Sequence, residues 1–109
     1  MPPRDNLLRL VLTTFASPED AEKIVRLLVA EKLAACGTIF PGVRSIYLWE
    51  GKIADSQEAG VLLKTTVEQF PALEKRLQAL HPYETPEIIA IDPASVSDAY
   101  AQWVKAACL

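Results

Sequence analysis

An α+β domain with the element order β-α-β-β-α-β-α is what this sequence predicts, and three observations carry the prediction. Leu8, Leu10 and Leu12 alternate with Arg9, Val11 and Thr13 at the period of a strand. Ala21, Ile24, Val25 and Leu28 recur at spacings of three and four, as do Phe70, Leu73, Leu77 and Leu80, which marks two amphipathic helices. Pro41-Gly42, Glu50-Gly51 and Asp92-Pro93 punctuate the chain where elements must bend or end.

Taken in order, residues 7–15 form a first strand expected to be mostly buried on both faces. Ser17-Pro18-Glu19-Asp20 then opens a helix. Ser17 can cap it, Pro18 suits its first position, and the two acids favour the positive end of its dipole. Glu19/Lys23 and Glu22/Arg26 can pair on its wet face, and it should fade near Ala34 with Gly37 just beyond. Residues 38–49 read as a long edge strand with a bulge at Pro41-Gly42. Past the bulge Val43, Ser45, Tyr47 and Trp49 share one face, with Arg44, Ile46 and Leu48 on the other. Glu50-Gly51 is a two-residue turn, and the returning strand ends in Val61-Leu62-Leu63-Lys64-Thr65-Thr66, making a long hairpin.

The second helix must stop near His81, because Pro82 disfavours helix in the residue before it. Residues 86–91 read as a short strand led by a proline, and Ser95 with Asp98 resembles a capping box for a third helix carrying Val96, Tyr100, Trp103 and Val104. A split βαβ pair with helices on one face of an antiparallel sheet is the ferredoxin-like arrangement, here with an extra C-terminal helix. One domain over residues 1–109 is expected, with residues 1–6 a flexible lead-in.

Composition narrows the function classes. Fourteen acidic residues against 11 basic ones, for a net charge of −3 and no basic block, give no electrostatic reason to bind nucleic acid or an anionic membrane. The longest apolar runs are far short of the roughly 20 residues of a membrane span. The first six residues lack the apolar segment of a secretory signal, so the cytoplasm is the expected compartment. The 2 cysteines, Cys36 and Cys108, make no disulfide framework there. With 1 histidine and no CxxC, a strong metal site within one chain would be short of ligands.

Five blocks, in order, resemble the CutA family of divalent-cation tolerance proteins. They are residues 31–36 (Glu-Lys-Leu-Ala-Ala-Cys), 41–47 (Pro-Gly-Val-Arg-Ser-Ile-Tyr), 49–53 (Trp-Glu-Gly-Lys-Ile), 64–66 (Lys-Thr-Thr) and 81–87 (His-Pro-Tyr-Glu-Thr-Pro-Glu). The resemblance runs from Leu8 to Trp103. It implies a ferredoxin-like subunit in a homotrimer related in architecture to the PII signalling proteins, and a role in tolerance of divalent cations, copper especially. Some relatives carry a cysteine in the first strand where this chain has Thr13, which makes thiol-rich copper binding less expected.

Several residues are candidates for function. His81, followed by Tyr83 and Glu84, offers an imidazole beside a carboxylate, a donor set that suits copper(II) or zinc. Its other reading is structural, closing a helix before a proline-fixed turn. Cys36 joins a metal site with His81 and Glu84 if it lies within reach, and is otherwise a small buried hydrophobe. Lys64, charged inside an apolar strand end, either snorkels to solvent or meets an anion or carboxylate, and with Tyr83 it is the candidate for binding a small anion. Tyr47 and Trp49 are the candidate subunit anchors.

Catalysis has little to build on, since the single histidine serves any arrangement and no serine lies in a GxSxG turn. The expected function is a trimeric, non-enzymatic divalent-cation tolerance protein with no obligatory cofactor, binding copper(II) or another divalent ion. The alternative is a PII-like interaction module that binds a small anion or partner protein, with metal tolerance indirect.

Overall fold

A computed structural model describes residues 7–109; the expected flexible segment 1–6 lies outside the described residues. The order is β1 (Leu8–Phe15), α1 (Pro18–Ala30), β2 (Cys36–Trp49), β3 (Lys52–Thr66), α2 (Phe70–Leu80), β4 (Ile89–Ile91) and α3 (Asp98–Ala107). The strands form one antiparallel sheet in the order β2-β3-β1-β4. This is the α+β arrangement expected.

Strand alternation sorts the sheet into two faces. Val11 and Phe15 of β1, with Ala59, Val61 and Leu63 of β3, point to α1 and α2 and meet Ile24, Leu28, Leu73 and Leu77 in the main core. The first strand is fully buried on the helix face from Val11 to Phe15; on the other row Leu8 is buried, while Leu10, Leu12 and Thr14 are half-buried on an open face. Helix α1 lies so close to the sheet that a Cβ on Gly37 would stand 2.8 Å from Val25 Cγ1. Helix α3 covers a second cluster of Leu8, Ala35, Ala101, Val104 and Cys108.

Strand β2 begins two residues before the expected residue 38, and three further boundaries differ from expectation, each because of a particular bond or contact. Helix α1 starts as read, with Ser17 Oγ accepting the Asp20 N–H, and of its two expected surface pairs Glu22–Arg26 forms. It stops at Ala30, four residues early. Lys32 takes the left-handed conformation (φ 62°), Lys32 N–H donates to the Val29 carbonyl, and Leu33 N–H donates to the Leu28 carbonyl. Those two bonds close a Schellman motif, with Leu33 packed back on the core. Strand β4 covers only Ile89–Ile91, because the Thr14 carbonyl that a longer strand would meet opposite Glu87 instead accepts from His81. Ser97 rather than Ser95 holds the position before the first turn of α3, without a side-chain cap bond, and Val96 packs before it against the cluster that holds Ala101, as a hydrophobic staple.

The hairpin outgrows the sheet. Strand β1 ends where Phe15 pairs Ala59, yet β2 and β3 continue from Val43↔Glu58 to Trp49↔Lys52, an arm about 23 Å long at the usual rise of a strand. Glu50 and Gly51 both take positive φ (50° and 78°), the twist-matched two-residue turn. At Pro41-Gly42 the register slips from Phe40↔Gly60 to Val43↔Glu58, one extra residue on β2. The expected bulge thus keeps Phe40, Val43, Ser45, Tyr47 and Trp49 on the open face, together with Ser56 and Glu58.

Candidate functional site

After α2 the chain crosses the end of β1 and turns onto the open face. His81 makes the crossing. Its ring stacks on Phe15 (centroids 4.4 Å apart, 12° between planes) and is buried. Nε2 lies 2.8 Å from the Thr14 carbonyl and Nδ1 lies 3.1 Å from the Tyr83 N–H. An amide can only donate, so Nδ1 accepts and Nε2 carries the proton. The imidazole is neutral with both nitrogens engaged. Burial pushes its pKa below the usual value, against the opposing pull of the Thr14 carbonyl and Glu58.

Two residues on, Tyr83 reaches the hairpin arm, where its hydroxyl donates to Glu58 Oε2 at 2.7 Å. Burial alone would raise the Glu58 carboxyl. Hydrogen bonds from Ser45, Tyr83 and Thr14 outweigh it, so Glu58 titrates below the normal glutamate value. Burial and the Glu58 carboxylate hold the Tyr83 phenol far above its ordinary range. Tyr47 OH lies 3.0 Å from Ser56 Oγ. Between arm and loop lies an open cavity of about 640 Å³, with Glu58 and Glu87 as its carboxylates and Tyr47, Trp49 and Tyr83 as its aromatic walls.

The sequence-predicted residues fall into separate places. His81 and Tyr83 belong to this corner, and the exposed Glu84 follows them. Cys36 pairs Lys64 at the level of Leu10, four residues along the sheet from Thr14, about 13 Å away. Its Sγ sits 3.5 Å from Tyr100 OH. Among the described residues no three His, Cys, Asp or Glu side chains converge on a point that could hold a metal ion. Cys36 is accordingly not brought to His81 and Glu84. Lys64 Nζ donates to Thr38 Oγ1 at that other level, so Lys64 and Tyr83 do not share one site. Tyr47 and Trp49 line the cavity, and the indole remains 63% exposed.

Thr13 is fully buried on the helix side of the sheet, so a thiol at that place would be a core group, two residues from the Phe15 on which His81 stacks. Glu58, Ser45 and Thr14 were missed as a group. The signal was available: counting back from the Glu50-Gly51 turn pairs Val43 with Glu58 and puts Glu58 on the face of Ser45 and Tyr47.

The fold and this corner define a ferredoxin-like domain with a projecting hairpin and a cavity lined by carboxylates and aromatic rings beside it. The family model described as CutA1 divalent ion tolerance protein matches residues 9–107. The divalent-cation tolerance protein CutA of Thermus thermophilus is 46% identical over 96 residues, 88% of this chain and 93% of that protein. The crystal structure of the divalent ion tolerance protein CutA1 from Ehrlichia chaffeensis aligns with a TM-score of 0.93 at 38% identity, covering 97% of this chain and 99% of that one. A protein described as the periplasmic divalent cation tolerance protein CutA from Archaeoglobus fulgidus aligns with a TM-score of 0.89 at 34% identity, covering 94% and 99%. The chain belongs to the CutA family of divalent-cation tolerance proteins, a family named for tolerance and not for a reaction. Among the described residues no helix is long and apolar enough to cross a membrane.

Proposed function

We propose that the protein acts in the cellular response to divalent metal ions as a homotrimer, assembled through the open face of its sheet, in the cytoplasm. The observation that carries this reading is the uncovered apolar face. Phe40 and Ile89 are each 48% exposed and Ile91 40%, beside the half-buried Leu10 and Leu12, while the opposite face is closed by α1 and α2. A chain this small does not keep such a face in water, and copies related by a closed rotation cover it most simply. The arm then reaches beyond its own subunit, and Trp49 at its end is the anchor for a neighbour.

Copper(II) is the proposed metal, taken weakly at His81 with Glu84 assisting. Both imidazole nitrogens are engaged within the chain, so a copper ion must displace the Tyr83 N–H from Nδ1 and complete its shell with oxygen donors or a neighbouring subunit. Tight chelation within one chain is disfavoured on that ground, and the metal response runs through the assembly.

Light scattering tests the assembly: about 36 kDa is expected, three times the 12.0 kDa chain, with Phe40→Asp reducing it toward one chain. A 12.0 kDa particle at micromolar concentration sinks the trimer. In cells lacking their own CutA protein, the wild type should restore growth in copper(II) and Phe40→Asp should not; equal rescue refutes the dependence of tolerance on assembly.

A further inference from the structure

His81 is fixed on three sides, and the loop that follows it is not. Its backbone N–H donates to the Leu77 carbonyl at 2.8 Å as α2 ends, its ring stacks on Phe15, and Nε2–H donates to the Thr14 carbonyl. The ring cannot turn without giving up both the stack and that bond. The loop is held through Tyr83 at two points. Its N–H donates to His81 Nδ1 at 3.1 Å, and its hydroxyl donates to Glu58 Oε2 at 2.7 Å. The Tyr83 ring also packs against the imidazole, with centroids 4.8 Å apart.

The only free lone pair of this imidazole is the one that Tyr83 uses. A divalent ion on an imidazole nitrogen stands about 2.0 Å from it. The Tyr83 nitrogen already lies 3.1 Å from Nδ1, so ion and amide cannot share the place. With the imidazole fixed, the backbone at Tyr83 is the part that yields. A phenol on a rigid ring keeps a 2.7 Å bond only while its own backbone stays put, so the shift that frees Nδ1 also draws the hydroxyl from Glu58. Glu58 pairs Val43 at the first level of the arm beyond the sheet, and its remaining donors are Ser45 and Thr14. All these contacts lie within one chain, so the coupling holds in a subunit and in an assembly alike.

We infer that Tyr83 is a latch on the metal site: coordination at His81 Nδ1 and the Tyr83–Glu58 bond exclude each other, so loading the site releases the loop from the base of the arm. This rests on the reading of His81 as the copper ligand. Coupling between two such events is reciprocal, so whatever weakens the clasp on Glu58 tightens the hold on the ion by the same factor. Tyr83 is thus a positioning residue that opposes the ion, and no ligand to it.

Copper(II) titrated into the wild type, Tyr83→Phe and His81→Gln, followed by calorimetry, tests the latch. Tyr83→Phe keeps the amide and the ring and removes only the bond to Glu58. It should bind copper(II) about tenfold more tightly than the wild type, the worth of one hydrogen bond to a charged acceptor, and His81→Gln should lose this binding. Nuclear magnetic resonance with zinc(II), which is diamagnetic, reads the loop. In the wild type the amide signals of Tyr83 and Glu58 should shift together. In Tyr83→Phe the signal of residue 83 should shift and that of Glu58 should stay, with an unchanged Trp103 indole signal on α3 reporting an intact fold. Copper(II) binding that is equal or weaker in Tyr83→Phe, yet still lost in His81→Gln, overturns the latch and leaves His81 standing as a ligand. Binding that is equal in all three proteins, or absent from all three, overturns both.

Discussion

Two buried threonines on one face of the sheet should respond to the same substitution with opposite signs. Thr13 and Thr65 are both fully buried beneath the helix layer. Thr65 Oγ1 donates to the Leu33 carbonyl at 2.6 Å, whereas Thr13 Oγ1 has no hydrogen-bond partner among the described residues. Valine has nearly the volume of threonine and an equal liking for strands, so each change tests the hydroxyl alone. At position 13 the folded chain loses an unsatisfied polar group, worth about 1–3 kcal/mol, and buries a methyl instead. Thr13→Val should therefore stabilise by about 1–2 kcal/mol. Thr65→Val strands the Leu33 carbonyl, and the methyl recovers only part of that, for a net loss of about 1 kcal/mol. Urea unfolding at one fixed protein concentration, needed because subunit association adds to stability, should move the midpoint by about 1 M in opposite directions. The sites lie about four strand residues apart, roughly 13 Å, so the double variant should sum the two effects. A destabilised Thr13→Val, or two shifts of the same sign, refutes the reasoning.

Other outcomes follow from single features. Lys32→Gly should stabilise by about 0.5–1 kcal/mol in the same urea assay, because Lys32 closes α1 in a left-handed conformation that glycine adopts without strain; a loss of stability would mean that the lysine side chain matters more than its backbone. His81 titrates below its usual value of 6.5, so the unfolded chain takes up that proton first. The stability it contributes is complete above about pH 6.5 and is lost as pH falls below it, until the folded value is passed. Unfolding midpoints at about pH 7.5 and 5.5 should differ in wild type and converge in His81→Gln; an unchanged difference would assign the pH dependence elsewhere. The same depressed value predicts that any copper binding at His81 persists to a lower pH than an exposed histidine would allow, which a titration followed by electron paramagnetic resonance measures.

Element order was readable because each signal was local. Ser17-Pro18 marks a helix start through one side-chain bond and one fixed φ, and both are present in the folded chain. Pro82 stopped α2 by a clash with its neighbour alone. The failures share a different cause. The end of α1 depends on a lysine accepting a left-handed conformation because Leu33 gains a place in the core, which is a tertiary effect. The shortness of β4 depends on His81 capturing the Thr14 carbonyl, a bond between residues 67 positions apart. That long-range bond engages Nε2, and a local one from the Tyr83 N–H engages Nδ1, so both readings of the histidine start from a ring already held at both nitrogens.

The two-residue turn at Glu50-Gly51 sets the register of the arm, pairing Val43 with Glu58 and putting Glu58 on the face of Ser45, Tyr47 and Trp49. The extra residue at Pro41-Gly42 decides something else, which is how that face continues into the sheet. Without the shift the register of the turn would carry on, Phe40 would stand opposite Val61, and its ring would turn toward the helices. With it, Phe40 joins Val43, Ser45, Tyr47 and Trp49 on the open face. Pattern reading gives the alternation along a strand with ease. It does not bring in Tyr83, which reaches Glu58 from a loop 25 positions away and completes the corner only in the folded chain.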